Sequence, residues 1–551
     1  MIMRRYIISL LFVLGLYGHS LAQPTVGTIL HDSLAHDGYT LITPASSNLV
    51  VLVDNCGFEI NRWEAEGTPG LSAYLLPGGK LLRTRRSGTS FNAGGTGGAI
   101  DRYSWDGELE WTWTYSTDEV RQHHDIEPLP NGNILILAWE AYTGAEAIAL
   151  GRDSTLLGDN GIWGEQIVEI RPIGTDSAEI VWEWHVMDHV IQDRDSSGNN
   201  FGVVAERPER IDINFVIGQS ADWLHCNSVD YNPELDLIML SSRNLSELWI
   251  IDHSTSSEEA RDSVGGRLDR GGDILYRWGN PRTYRRGGSI DQQLFRQHDA
   301  RWIEAPHPQA GGISVFNNGI GRPGTDFSEA ILLPSIYDEE LGYVIDDVAP
   351  YAPVSPSLVI GSSDDRPFFS NIMSGVQPLP NGNILVSSGN KGLAMELDTS
   401  GQVLWEYQNP ITASGILEQE QDPRGVTVFR YVRYDLDDTI FQGQDLTPGD
   451  PVELNPIDYG CVLYDMTVSS EQLGTIDYSV FPNPTTGMLS ISGSLPANTK
   501  LLLYDMHGRL RHEADLESAS AQLPATLASG WYLLLLESPT SRSYTRVLLQ
   551  R

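Results

Sequence analysis

The chain has 551 residues, 40% of them hydrophobic and 9% aromatic, and a formal charge of −37 at neutral pH. That length exceeds one ordinary core, so two domains or one large repeat architecture are expected, and the apolar content excludes a disordered chain. The acidic balance disfavours nucleic acid and anionic lipid as partners, and it requires any site for an anionic ligand to be locally basic.

The chain opens with Arg4 and Arg5, an apolar run from Tyr6 to Tyr17 and the small residues Ser20-Leu21-Ala22. This pattern describes a secretory signal peptide over residues 1–22. The run is short for a bilayer and no later run reaches about 18 residues, so the mature protein is expected to be exported and to have no membrane span. Three cysteines, Cys56, Cys226 and Cys461, allow one bridge in an oxidising compartment and leave its pairing open. Their spacing excludes a CxxC-type site. Cys226, between His225 and Asn227, reads as a small core residue facing away from both.

From residue 23 onward one phrase repeats: a Leu-Pro-Gly/Asn-Gly turn, a strand, a second strand ending near an Asp, another turn, and a closing strand with Trp. GYTLITPASSNLVVLVDNCGFEINRWEAE opens the series, and LLPGGKLLRTRR with GGAIDRYSWDGELEWTWTY follows. Next come PLPNGNILILAWE with EQIVEIRPIGTDSAEIVWEWHV, and YNPELDLIMLSSRNLSELWIID with DILYRWGNP. WIEAPHPQAGGISVFNNG with SEAILLPSIYDEELGYVI precedes the cleanest copy, PLPNGNILVSSGNKGLAMELDTSGQVLWEYQNP. There Asn381-Gly382 and Ser400-Gly401 supply the positive-φ residues of tight hairpins. Six such units predict an all-β chain with a six-bladed β-propeller over residues 23–468. GVTVFRYVRYDL, residues 425–436, alternates like one more strand and is expected to pair with the N-terminal unit and close the ring. Leu150 to Gly164 and Met187 to Ser220 are polar insertions, expected to shape a site.

Histidines stand just before these apolar strands. His298 lies in LFRQHDARWIEA, His124 in RQHHDIEPLPNGNILIL and His225 in DWLHCNSVDY, and Ser374 stands before Leu379 as His124 stands before Leu129. If the units are equivalent, these side chains converge on the axis of the ring. Histidine serves as nucleophile, base and acid near neutral pH. Arg243 lies one hairpin beyond His225, and its fork of donors points to a tetrahedral oxyanion as the bound group. A site built only to chelate a metal would gain nothing from that cation, and no metal ligand is assigned. Asp125 and Asp299, next to two of the histidines, are expected to point to the opposite face. Whether His123 or His124 faces inward depends on a one-residue slip. No GxSxG, HExxH or Walker A motif is present, and AGGTGGAI at 93–100 leads into a strand rather than a helix.

Residues 469–551 read as a separate small β-sandwich with turns at Pro484-Thr485, His507-Gly508 and Ser529-Gly530. Through FPNPTTG, LYDMHGRL and GWYLLLL this tail resembles the C-terminal sorting domain of type IX secretion cargo. The resemblance implies the secretion machinery as a partner and a secreted or cell-surface location reached through the periplasm.

HHDIEPLPNGNILIL, DWLHCNSVDY with SSR downstream, FRQHDARW with VFNNG, and SGVQPLPNGNIL together resemble the bacterial arylsulfate sulfotransferase family, over about residues 25–465. The resemblance implies a six-bladed propeller that works without phosphoadenosine phosphosulfate or another cofactor. It implies ping-pong transfer of a sulfuryl group from a phenolic sulfate to a phenolic acceptor through a sulfohistidine. His298 matches the nucleophile; His225, Asn227 and Arg243 match the residues that hold the sulfate; His124 matches the histidine of the first HD phrase. Ser374 lies where the family has a hydroxyl residue, with Ser370 as the alternative. A homodimer is compatible with this reading. Two other readings compete: a non-catalytic propeller binding a sulfated or carboxylated ligand, and a metal-dependent hydrolase built on the same three imidazoles.

Overall fold

The computed structural model describes residues 24–463 and 478–551, apart from 89–90, 159–160, 216–219, 339–341, 347, 365, 458–459, 494–498, 506–509, 517–519 and 539–540. The expected signal peptide, the turn at His507-Gly508 and the boundary at 468 lie outside the described residues. No described helix is long and apolar enough to cross a membrane. The chain forms two compact units, Met1–Leu463 and Tyr464–Arg551.

In the first unit, six antiparallel sheets follow one another as meanders. Their inner strands are Pro69–Leu76, Val120–Pro128, Cys226–Asn232, His298–Trp302, Gly375–Pro378 and Val428–Asp435, each beside the next and the last beside the first. This is a closed six-bladed ring. The last blade is composite: Val428–Asp435, from the C-terminal end of the ring, pairs with Gly38–Pro44 from the start, placing Ile42 opposite Tyr431. Gly27–His31 adds a fifth strand to the preceding blade along Val403–Gln408. The expected closure through residues 425–436 is therefore present, and the N-terminal segment adds a second one.

The repeated phrase has a physical basis in each part. In both copies of PLPNGN the turn is the same: the amide of Leu129 donates to Asn133 and that of Gly132 to Leu129, as Leu379 does to Asn383 and Gly382 to Leu379. Gly132 and Gly382 have φ of 86° and 90°, which a side chain would oppose. The tryptophans of the outer strands tie blade to blade. Trp63 Nε1 donates to the Ser104 carbonyl at 2.9 Å and Trp111 to Ser177 at 2.9 Å. Trp182 donates to Thr255 Oγ1 at 3.2 Å, Trp278 to Pro353 at 2.9 Å and Trp405 to Asn55 at 2.7 Å. Each bond crosses to the following blade, and each indole is buried. The blade opening at His298 has no outer-strand tryptophan, because its fourth strand is Leu358–Ile360. Within the quoted copy SEAILLPSIYDEELGYVI, Glu329–Leu333 is the third strand of this blade, and Tyr337–Asp338 and Gly342–Tyr343 pair as a separate small hairpin.

Cys56 and Cys461 form a disulfide across 405 residues of sequence, joining the composite blade to the segment that follows the ring. Cys226 is free and buried. The second unit packs a sheet of Tyr478–Phe481, Met488–Gly493 and Ser520–Gln522 with one of Leu510–Asp515, Lys500–Asp505, Gly530–Ser538 and Ser541–Leu549. Leu489, Ile491, Leu501, Leu503, Leu534 and Val547 lie between them.

Two stability predictions follow from the closures. Trp111→Phe removes the indole N–H that bonds the Ser177 carbonyl of the following blade, and because Ser177 is itself exposed denaturant unfolding should show a loss of about 0.5–1.5 kcal/mol. Cys56→Ser should cost the first unit about 2–5 kcal/mol in the same assay, because it frees a very long loop in the unfolded chain.

Candidate active site

At the entry ends of the inner strands a cavity of about 240 Å³ is lined by Leu71, Gly94, Gly95, His124, His225, Arg243, His298, Ile372, Met373 and Phe429. All six blades or the loops entering them contribute. The convergence does not come from strict equivalence of position. His124 and His225 have left-handed backbones, φ 48° and 50°, whereas in the blade of His298 the left-handed residues are Arg296, φ 57°, and Asp299, φ 55°, on either side of it. Bulges at this level break the strand alternation, with register shifts between Ile136 and Ala138 and between His298 and Arg301.

His298 is held in one tautomer. The side-chain amide of Asn318 donates to the carbonyls of Ser370 and Met373 at 2.9 and 3.1 Å, which turns its oxygen toward His298. Nδ1 of His298 therefore donates to Asn318 Oδ1 at 2.7 Å. Nε2 carries the lone pair and accepts the Met373 N–H at 3.2 Å. Burial, then the neighbouring Arg243, hold this imidazole well below the usual histidine range, so it is neutral near pH 7.

His124 and His225 meet edge to face with ring centroids 4.7 Å apart. Nδ1 of His225 is bonded to the Asp222 carboxylate. Nδ1 of His124 is bonded to Nδ1 of His123 at 2.8 Å. Burial, then His225, depress the His124 pKa strongly. Arg243 is brought down to about 10 by burial and by Arg296, and remains a cation at neutral pH. Among the described residues no carboxylate lines this cavity. The locally basic site that the acidic composition required is thus present.

Four of the seven residues singled out from sequence, His124, His225, Arg243 and His298, line the cavity, and three stand behind its wall. His123 is fully buried, stacked on Trp139 with centroids 3.9 Å apart. Asn227 is fully buried and donates to the Gln297 carbonyl at 2.8 Å, bracing the strand entry of His298. Ser374 Oγ accepts the Gly389 N–H at 2.9 Å and steadies the segment that presents Met373. Ser370 lies beside it, its hydroxyl donating to the Ile372 carbonyl at 2.6 Å. The insertions Leu150–Gly164 and Met187–Ser220 were expected to shape the site; among the described residues none of them lines the cavity. Instead Met187, Val190 and Ile211 pack into the core beside Trp184.

Sequence reasoning missed the apolar wall of Leu71, Ile372, Met373 and Phe429, and the supporting Asn318, Asp222 and Glu165. Asn318 stood inside a motif already marked, VFNNG. Asp222 lies three residues before the histidine it holds, a spacing that could have been tested. Glu165 sits on an outer strand and left no local signal. The glycine loop at 93–100 is not idle either. Gly95, at φ 83°, lies so close to His124 that a Cβ there would meet the ring at 1.9 Å.

Asp125 and Asp299 do turn from the cavity, as expected, though left-handed residues at His124 and Asp299 rather than plain alternation direct them. They form a buried plug with Arg430 and Arg301: Arg430 bonds Asp125 and Asp299 at 2.8 Å each, and Arg301 bonds Asp299 at 2.8 Å and the Tyr74 hydroxyl at 2.6 Å. Beyond the plug lies a second cavity of about 400 Å³, among whose walls are Glu127, Asp230, Glu304 and Asp435. Among the described residues, the one His/Cys/Asp/Glu group gathered closely enough for a metal ion is His31 with Cys56 and Cys461, whose sulfurs are already joined. The three axial histidines are not among such groups.

Gly95→Ala should displace the His124 ring and remove activity at the site while leaving thermal unfolding cooperative, which calorimetry alongside turnover would show. The depressed pKa of His298 gives a pH prediction. Below about pH 6.5 the unfolded chain takes up a proton that the folded ring refuses, so this group disfavours folding increasingly as pH falls. Between pH 6.5 and 5 the wild type should therefore lose stability relative to His298→Asn, by up to about 1.4 kcal/mol per pH unit.

Residues 91–259 match the family model described as Arylsulfotransferase (ASST), and residues 479–550 match that of the Secretion system C-terminal sorting domain. No curated protein matches the chain. Similar solved structures include a protein of unknown function from Bacteroides caccae, at 10% identity over 72% of this chain and 98% of that chain, TM-score 0.38. Apo AztD from Citrobacter koseri is similar at 8% identity over 72% and 99%, TM-score 0.32. Virginiamycin B lyase from Staphylococcus aureus is similar at 11% identity over 70% and 86%, TM-score 0.32. At such TM-scores none of the three bears on function. Residues 91–259, which hold His124, His225 and Arg243, are an arylsulfotransferase-family region, and residues 479–550 are a secretion sorting domain that directs the protein to the cell surface or outside.

Proposed function

We propose that the protein is an aryl-sulfate sulfotransferase that works by a ping-pong mechanism through a sulfohistidine at His298. The observation that carries this reading is the fixed tautomer of His298, whose Nε2 lone pair and the Arg243 guanidinium border one cavity that no described carboxylate lines.

In the first half-reaction the Nε2 lone pair attacks sulfur in line with the aryl oxygen. The N–S bond forms, the S–O bond breaks, and the electron pair leaves on the phenolate. Nδ1 keeps its proton and its bond to Asn318, so the sulfated ring is a cation beside the anionic sulfuryl group. Arg243 stabilises the equatorial oxygens as charge shifts among them, with His225 fixed beside it by Asp222. The Met373 N–H, released from Nε2, is free to turn to one of those oxygens. His124 protonates the leaving phenolate. In the second half-reaction an acceptor phenol gives its proton to His124, its oxygen attacks sulfur, and the lone pair returns to Nε2. Leu71, Ile372, Met373 and Phe429 offer an apolar wall suited to an aromatic ring. Asn227 and Ser374 act by bracing the segments that carry His298 and Met373.

Incubation with phenyl sulfate alone, followed by intact-mass measurement, should show one added sulfuryl group in the wild type and none in His298→Ala. Release of phenol that requires a second phenol completes the assignment. Absence of both adduct and release across several aryl sulfates would leave the non-catalytic, anion-binding reading in its place. Arg243→Gln should lower kcat on the order of 10²–10³-fold, as loss of an oxyanion donor does elsewhere.

A further inference from the structure

Behind His124 lies a chain of hydrogen bonds that the transfer chemistry above does not use. Nδ1 of His124 meets Nδ1 of His123 at 2.8 Å, and Nε2 of His123 meets Glu165 Oε2 at 2.8 Å. The other carboxyl oxygen, Oε1, accepts the Cys226 N–H at 2.8 Å. His123 and Glu165 are sealed from solvent, with side chains 0% and 1% exposed.

Burial holds both imidazoles well below the usual histidine range and so neutral; an Nδ1···Nδ1 contact between two neutral rings needs one donor and one acceptor, so only two proton arrangements satisfy the whole chain. In one, Glu165 is protonated and donates to His123 Nε2, His123 Nδ1–H donates to His124 Nδ1, and His124 carries its proton on Nε2. In the other, Glu165 is a carboxylate, His123 carries its proton on Nε2, and His124 Nδ1–H donates to His123, leaving a lone pair on His124 Nε2. The first arrangement makes His124 an acid and the second makes it a base.

We propose that Glu165, His123 and His124 form a proton relay in which the Glu165 carboxyl holds the proton before the donor half-reaction and receives it back in the acceptor half-reaction. The inference rests on the sulfuryl-transfer reading and makes Glu165 and His123 positioning residues acting through His124. The balance is complete. When His124 Nε2 gives its proton to the leaving phenolate, His123 passes its Nδ1 proton to His124, Glu165 passes its own to His123 Nε2, and the negative charge rests on Glu165. The acceptor phenol reverses each shift. The groups facing Glu165 are His123, Asp222, His225 and Cys226, through both its N–H and its thiol. Burial raises the Glu165 carboxyl well above its ordinary range, consistent with a group that is protonated at rest.

The relay matters most when the leaving phenolate is strongly basic. Wild type, Glu165→Gln and His123→Phe are therefore compared with unsubstituted phenyl sulfate and with nitrophenyl sulfate, whose anion leaves without a proton. Glutamine keeps an acceptor for Cys226 but cannot exchange a proton, and phenylalanine keeps the stack on Trp139. For each variant kcat/KM with phenyl sulfate should fall on the order of 10²-fold, and at least about tenfold further than with nitrophenyl sulfate. An equal fall with both donors means a merely structural role and overturns the relay, as does no fall with either. If Glu165→Gln fails to fold, His123→Phe alone decides between these results. Wild type inactive on both donors overturns the sulfuryl-transfer reading itself, an outcome distinct from a relay that fails while transfer persists.

Discussion

The pairing of Val428–Asp435 with Gly38–Pro44 is the contact on which the rest of the ring depends. A propeller blade buries its faces only against its neighbours, so an open ring would expose two apolar faces and two strand edges. Here the closing strand does more than seal the ring. It places Phe429 in the wall of the histidine cavity and Arg430 in the plug beneath it. The stretch that makes the fold finite also completes the site, and the disulfide between Cys56 and Cys461 clamps the same seam.

Much of this was legible in the chain. The PLPNGN turns, the Trp-bearing outer strands and the late strand at 425–436 carry their own local chemistry, and local chemistry is what a sequence displays. His124, His225, His298 and Arg243 could be found because short phrases recur around them. What could not be read were the directions of side chains at the bulges. A left-handed residue at His124 sends His123, His124 and Asp125 three different ways, and no period of two anticipates that. Asn227 and Ser374 are a related case: they belong to the same phrases as the lining residues, yet they brace the wall from behind. Glu165 was invisible because its importance comes from register, through an outer strand pairing Glu165 with Trp139, the residue on which His123 stacks.

The supporting residues fix the form in which His298 faces the cavity. An imidazole in an apolar pocket is held neutral by desolvation, but it becomes a directed nucleophile only if its tautomer is fixed. Asn318 does this because its own amide is oriented by two carbonyls, of Ser370 and Met373. The orientation of one ring therefore depends on backbone groups from the next blade, and hence on the closure that sets blade against blade.

The plug resolves the remaining conflict, between an acidic body and a site suited to an anion. Two aspartates adjoin catalytic-type histidines in sequence, and either one facing the cavity would repel a sulfate. Arg430 and Arg301 draw both into a buried network on the far side, with Tyr74 and Asp230 completing it. Charges so deeply desolvated are costly unless every one is paired, and removing one partner from such a network typically costs about 3–5 kcal/mol. Arg430 also adds to the fields that keep His298 unprotonated. The ring therefore separates its charge along its axis: carboxylates, with Arg301, Arg430 and Arg433 among them, line the second cavity, whereas among the described residues Arg243 and three histidines, and no carboxylate, line the first, so that Nε2 of His298 faces a neutral and weakly cationic surface.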